Sequence, residues 1–293
     1  MKWRSGKFVL LAVIASFLAA CGSPPATIEA ATKETHQHEI DENHRQAHYL
    51  GNAGVMAEDG ETKLLFDPLF EENFDNYQLV PPRIKGALMM GTAPYNDIDV
   101  LFISHAHGDH FSAATVLAYL QSFPQTKLVA PKQAITKLLA AGLTNTEQVF
   151  SIDQSPTDPP ALIQVGNIFI EAVTIPHSGG KRFAEVRNTV YRVHMNKDLR
   201  VLHLGDATTQ TEPFAVHKVF WDREINNVVF TPYWLYKNPQ RRAALDLYIR
   251  PKQAIAIHVP TALSDLKRRY GNALDDVDLF TKPGEVRVLT ATE

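Results

Sequence analysis

The stretch Val100-Leu101-Phe102-Ile103-Ser104-His105-Ala106-His107-Gly108-Asp109-His110 decides how the rest of this chain is read. Its first half is a short apolar run, the pattern of a strand buried on both faces. Its second half packs three histidines and one aspartate into a few residues. The sequence that follows, from Phe111 to Leu120, reads as a helix. The histidines and the aspartate therefore sit on a strand-to-helix loop, where open backbone lets several side chains converge. A helical HExxH site uses only two histidines on one face. This cluster is denser than one helix face can hold and fits a loop folded around two metal ions.

Working outward, three more apolar runs each end in a residue able to bind metal. Ile168 to Pro176 leads into His177, Arg200 to Gly205 into Asp206, and Ala254 to Ile257 into His258. Ligands at strand ends are held by rigid elements and are expected to converge on one edge of a sheet. Between these runs, helices are expected at 112–122, 131–141, 239–249 and 262–270. Further strands are expected at 48–51, 53–57, 63–66, 127–130 and 189–195, in two runs over 161–173, and at 228–230 and 286–289. Alternation of this kind implies an α/β fold. Leu69 to Asp97 shows no clear period but carries Phe70, Phe74, Tyr77, Met89, Met90 and Tyr95. It reads as a flap over the metal site, the alternative being a packed surface excursion.

The N-terminus differs in kind. Lys2, Arg4 and Lys7 precede an apolar Phe8 to Ala20, the pattern of a secretory leader over 1–20. The leader ends Leu18-Ala19-Ala20-Cys21-Gly22, which resembles the bacterial lipobox, and Cys21 is the only cysteine. That implies a lipidated Cys21, a membrane anchor and a place in the cell envelope facing the periplasm or exterior. Residues 21–46 are polar and read as a flexible tether. His36, His38 and His44 in it are either a metal-collecting arm or part of a solvated linker. The domain is expected over 47–293. Cleavage of the leader removes three positive charges and no negative ones, taking the net charge from −3 to −6. An acidic body argues against nucleic acid as a partner.

The motif His105-x-His107-x-Asp109-His110 resembles the HxHxDH signature of the metallo-β-lactamase superfamily. His177, Asp206 and His258 follow in the order that superfamily uses, and the resemblance spans nearly all of 47–293. It implies an αββα four-layer sandwich. It also implies two divalent ions, zinc first, with manganese or iron as alternatives. Residue by residue, His105, His107 and His177 would bind one ion. Asp109, His110 and His258 would bind the other, and Asp206 would bridge them. Asp109 would also orient a metal-bound hydroxide as the catalytic residue. Two divalent ions, two carboxylates and a hydroxide leave about +1, which favours an anionic substrate or transition state.

The opening hairpin resembles the branch of ascorbate-6-phosphate lactonase and N-acyl-phosphatidylethanolamine phospholipase D. That branch commonly has Gly-His where this chain has Gly51-Asn52. Asp67 matches its strand-end aspartate and is either a holder of a ligating histidine or a turn carboxylate. Histidine at 107 rather than glutamate argues against di-iron flavoproteins, and Asp206 argues against β-lactamases proper. The expected activity is metal-dependent hydrolysis of a phosphodiester or lactone/ester, in a small-molecule or lipid-like anionic substrate. The alternative is a metal-binding lipoprotein without turnover. Lys181, Arg182 and Asn188 are candidates to meet a phosphate, and Tyr233 to Tyr236 to line an apolar wall. His48, His194, His203 and His217 carry no expected role.

Overall fold

The computed structural model of the chain describes residues 44–291. The expected leader, Cys21 and the tether up to residue 43 lie outside the described residues. Two seven-stranded sheets stack face to face. The first takes β1 Gln46–Gly51, β2 Gly54–Glu58, β3 Lys63–Phe66, β4 Val100–Phe102, β5 Lys127–Pro131 and β6 Val149–Ile152 in sequence order. The second runs from β7 Ala161–Val165 through β8 Ile168–Thr174, β9 Thr189–His194, β10 Arg200–His203, β11 Val228–Pro232 and β12 Gln253–Ile257 to β13 Asp278–Leu279. β14 Val286–Val288 then returns to pair antiparallel with β1, closing the first sheet. Strands β3 to β6 and β10 to β13 are parallel, and the remaining pairs are antiparallel.

The period-2 alternation of side chains sorts these strands into layers. Tyr49, Val55, Leu64, Phe66, Phe102, Tyr191, Val201, Phe230 and Ile257 point inward and form the layer between the sheets. Their neighbours Leu50, Met56, Leu65, Leu101 and Leu128 point outward and pack against α1 Pro82–Met90, α2 Ala113–Ser122 and α3 Lys132–Ala140. Val190, Leu202, Val229 and Ala256 pack against the other helical layer, α4 Glu212–Val216, α5 Lys218–Arg223, α6 Pro239–Ala244 and α7 Leu263–Tyr270. Both faces of each sheet are covered, which is why the strands read as near-continuous apolar runs. The architecture is the expected αββα sandwich. Each large side chain removed from water here stabilises the fold by ~1.5–3 kcal/mol.

Several local readings are corrected. β1 starts at Gln46, two residues before the strand expected from 48. The segment 69–97 does reach over the cluster end as expected, with Phe74 and Tyr77 walling the cavity there, but it is anchored to the outer core rather than loose. It contains α1, which opens on Pro82 and ends at left-handed Gly91. Leu69, Phe70, Val80, Leu88 and Tyr95 are buried in the outer core. Pro131 ends β5 and caps α3 rather than entering the helix. The helix expected over 239–249 is α6 followed by a π-helical turn, Leu245–Ile249.

One core histidine ties the sheets together at the end where the metal-type residues gather. His203, fully buried, stacks on Phe66 with ring centroids 5.1 Å apart. Its Nε2–H donates to the Ala53 carbonyl at 2.9 Å, and its Nδ1 accepts from the Gly205 N–H at 3.2 Å. Only the neutral ring meets both demands. Burial pushes the His203 pKa below the usual histidine value, and burial does the same to His217. The unfolded chain takes up these protons near pH ~6.5 while the folded chain resists. Their contribution is therefore complete above that pH and is lost as pH falls below it. The melting temperature should drop between pH 7.5 and 5. His203→Gln, which can donate and accept but cannot titrate, should make that drop smaller. An unchanged drop in the variant contradicts this assignment.

Candidate metal centre

The loops that follow β4, β8, β10 and β12 meet at one end of the sandwich. They bring together all seven residues singled out from the sequence. The expectation of a single sheet edge is corrected: His105, His107, Asp109 and His110 come from the first sheet, and His177, Asp206 and His258 from the second. The site is a seam between the two sheets. Asp206 lies at its centre, only 5% exposed. Its Oδ1 lies 3.2 Å from His110 Nε2 and 3.3 Å from His258 Nε2. Its Oδ2 lies 3.2 Å from His177 Nε2 and 4.0 Å from His105 Nε2. His107 Nδ1 lies 3.1 Å from His105 Nε2, and Asp109 Oδ2 lies 3.3 Å from His258 Nε2.

Hydrogen bonds behind the rings fix which nitrogens face inward. Asp67 Oδ1 accepts from the Ser104 N–H at 2.7 Å, and Oδ2 accepts from Ser104 Oγ–H at 2.6 Å. His110 Nδ1–H donates to the same Oδ2 at 2.7 Å. Ser104 Oγ–H points at Asp67, so at 3.0 Å the oxygen accepts from His105 Nδ1–H. His177 Nδ1–H donates to the Ser178 carbonyl. The Nε2 atoms of His105, His110 and His177 are therefore the lone-pair ends, and all three point into the cluster.

Lone pairs facing lone pairs and carboxylates form a donor set for cations. His110 Nε2 and His258 Nε2 stand 3.1 Å apart, too close for two N–H groups to face each other. Asp109 Oδ1, Asp206 Oδ1 and His177 Nε2 are buried without a hydrogen-bond partner. Buried groups of this kind do not persist unpaired. Ligand atoms fall into three overlapping groups: His105 with His107 and His177, His105 with His110 and Asp206, and Asp109 with His110 and His258. Within each, the atoms lie within 4.8 Å of one another. Burial disfavours a charged His110. The carboxylates of Asp206, Asp109 and Asp67 outweigh it and hold the His110 pKa well above the usual value. Burial, reinforced by the neighbouring histidines, drives His105 well below it and brings His107 down to about 4. Negative charge here seeks a positive partner, and the residues fit two divalent ions.

With the geometry in place, residues 46–231 match the Beta-lactamase superfamily domain. The chain belongs to the metallo-β-lactamase superfamily. It is similar to a UPF0173 metal-dependent hydrolase of Pyrococcus horikoshii, 21% identical over 243 residues, which are 81% of this chain and 96% of that protein. Two solved structures share the fold. One is Igni18, a metallo hydrolase from Ignicoccus hospitalis, with TM-score 0.56 and 17% identity over 83% of this chain and 97% of that one. The other is a possible metal-dependent hydrolase from Veillonella parvula, with TM-score 0.58 and 15% identity over 84% and 99%.

Three features of this superfamily member were not legible as sequence. Asn52, where the branch commonly has histidine, is buried and left-handed at φ 44°. Its side chain donates to the Asp109 carbonyl at 2.9 Å and to Asp109 Oδ2 at 3.2 Å, and its own carbonyl accepts from the His258 N–H at 2.9 Å. It thus joins two loops from different sheets. Asn188 is no phosphate contact. It is fully buried, accepts from the Asp206 N–H at 2.9 Å and donates to the carbonyls of Ile175 and Leu204. Gly205 makes room for it, since a Cβ there would stand 2.3 Å from Asn188 Oδ1. Tyr77, from the segment expected to cover the site, sets its ring edge-on to His258 with centroids 4.1 Å apart.

The cluster opens into a cavity of about 340 Å³ walled by Phe74, Tyr77, Phe183, Tyr233 and Trp234. Only Tyr233 and Trp234 of the expected apolar stretch reach it; Leu235 and Tyr236 pack in the helical layer. Lys181 and Arg182 are exposed on the 3-10 turn Gly180–Phe183 and do not line it, whereas Lys237 and Arg241 do.

Asp67→Asn leaves the shape but weakens the acceptor shared by Ser104 and His110. Zinc affinity should fall ~10–100-fold, the usual effect of losing a group that orients a ligating histidine. Stability should fall by ~1–3 kcal/mol. Competitive zinc titration together with chemical unfolding reads both, and wild-type zinc affinity in the variant would count against the relay.

Proposed function

We propose that this metal-dependent hydrolase cleaves a phosphodiester or a lactone/ester in a small or lipid-like anionic molecule. These are the bonds of the lactonase and phospholipase D branch that its opening hairpin resembles. The observation that carries the reading is the Asp206 carboxylate set among four imidazoles at the floor of an open cavity. An accessible cavity suits turnover better than metal storage, where a closed coordination sphere is expected.

In this reading His105, His107 and His177 would hold one ion, Asp109, His110 and His258 would hold the second, and Asp206 would serve both. Zinc suits nitrogen and carboxylate donors without a thiolate, with manganese or iron as alternatives. When bound, the pair supplies Lewis acidity toward a carbonyl or phosphoryl oxygen and lowers the pKa of water. The side chains supply the rest. Asn52 pins Asp109 through Oδ2 and leaves Oδ1 buried and unengaged. That oxygen can accept a hydrogen bond from the attacking water and orient it. Burial and the charge of Asp206 raise the Tyr77 pKa, so its phenol stays protonated and can donate to a substrate oxygen. Trp234, locked by its Nε1–H on the Ala207 carbonyl at 3.1 Å, meets His258 edge-on and keeps solvent from that side.

The cell envelope is the proposed location, with acyl chains on Cys21 as the membrane anchor. The leader and the lipobox-like Leu18 to Gly22 support this. Mass spectrometry of the mature N-terminus should find acylated Cys21, and a free start downstream of it would remove the anchor.

Zinc-loaded protein should turn over members of a panel of chromogenic phosphodiesters, lactones and thioesters. Asp109→Asn should keep most of the metal yet lose kcat by a factor on the order of 10²–10⁴. His258→Ala should weaken metal binding and recover in part with excess zinc. Silence across the panel at full metal occupancy would sink the hydrolase reading. Near-normal kcat in Asp109→Asn would remove the role given to its carboxylate.

A further inference from the structure

One wall of the cavity carries positive charge that no carboxylate of the described residues balances. Lys237 and Arg241 line the cavity over the metal-type cluster. Tyr233 and Lys237 also line an adjoining hollow of about 280 Å³ that reaches Asp265, Arg269 and Tyr270. The cations come from separate elements. Lys237 follows the 3-10 turn Tyr233–Tyr236, Arg241 lies in α6 and Arg269 near the end of α7.

Lys237 is held between aromatic rings, with Nζ 4.6 Å from the Tyr233 centroid and 4.5 Å from that of Tyr270. Arg269 Cζ lies 5.9 Å from the same Tyr270 ring. The nearby acids are taken by other arginines: Asp246 pairs with Arg242 at 3.1 Å and Asp265 with Arg268 at 2.9 Å. Among the described residues, no carboxylate comes within 4.0 Å of Lys237, Arg241 or Arg269. Lys237 foremost, with the charges of Arg269 and Arg241, pulls the Tyr270 phenol below its usual pKa.

Like charges repel, and a fold gathers them without partners where an anion is to be received. This chain is acidic overall, with a net charge of −3, so the patch is not a consequence of composition. Guanidinium groups match the oxygens of phosphate in geometry as well as charge.

We infer that Lys237, Arg241 and Arg269 form an anion subsite that holds a phosphomonoester group of the substrate, away from the bond that is cut. Tyr233 and Trp234, between this rim and His258, pack against the apolar body joining the two ends. The inference rests on the hydrolase reading of the adjoining cavity for its meaning but not for its test.

The probe is phenyl phosphate, an aromatic body carrying a dianion, titrated calorimetrically into zinc-loaded full-length protein. Arg241→Ala and Arg269→Ala change exposed side chains, and Lys237→Met keeps an apolar stem between the two rings. Each should weaken binding about fivefold, the scale of one partly screened ion pair, with zinc content unchanged by elemental analysis. Lys181→Ala and Arg182→Ala, exposed cations off the cavity, should leave the affinity as it is. Equal loss in both sets means nonspecific attraction and overturns the subsite, as does wild-type affinity in all three rim variants. Loss confined to the rim set supports the subsite even if no panel substrate is hydrolysed. Hydrolysis without that loss removes the subsite and leaves the hydrolase reading standing.

Discussion

Burying the Asp206 carboxylate among the imidazoles of His105, His110, His177 and His258 is the constraint on which the rest of the site depends. A carboxylate out of water needs positive charge or donors close by. The surrounding rings offer mainly lone pairs, because Asp67, Ser104 and the Ser178 carbonyl take the protons on their far sides. The fold has built a place where cations are the missing term. It draws the ligands from two sheets, so the same interaction also fastens the sandwich at one end.

Holding this seam requires unusual backbone. Asn52, Asp67 and His258 all have positive φ without being glycine, and Gly205 has φ 52°. Such conformations are uncommon and cluster where side chains must be aimed against local preference. Each is secured by hydrogen bonds from another loop. Asp67 receives Ser104 and His110, and Asn52 bridges Asp109 and the His258 N–H. Gly108 serves the same economy of space, since a Cβ there would stand 2.4 Å from the Glu72 carboxyl.

Much of this was legible in the sequence, because apolar runs ending in histidine or aspartate carry both strand and ligand signals at once. The paired layers were implied by the resemblance to the superfamily, since runs such as β3 and β4 are apolar on both faces and do not alternate. β6 was missed because Val149 to Ile152 is short and only partly buried, and α4 and α5 because each is little more than one helical turn. Asn188 was misread because an asparagine after glycines and cations looks like a surface residue. Its burial arises only when the loops after β8 and β10 close on it. The cations at the cavity were sought at Lys181 and Arg182, near His177 in sequence. They are Lys237 and Arg241, because the turn after β11 folds back over His258, which no local pattern records.

The most direct measurement is the metal content of purified protein reconstituted with zinc and freed of excess. Elemental analysis should give close to two ions per chain, falling furthest in Asp206→Ala, the residue proposed to serve both. Protein that retains no metal, or an Asp206→Ala variant that keeps the full complement, would contradict the arrangement described.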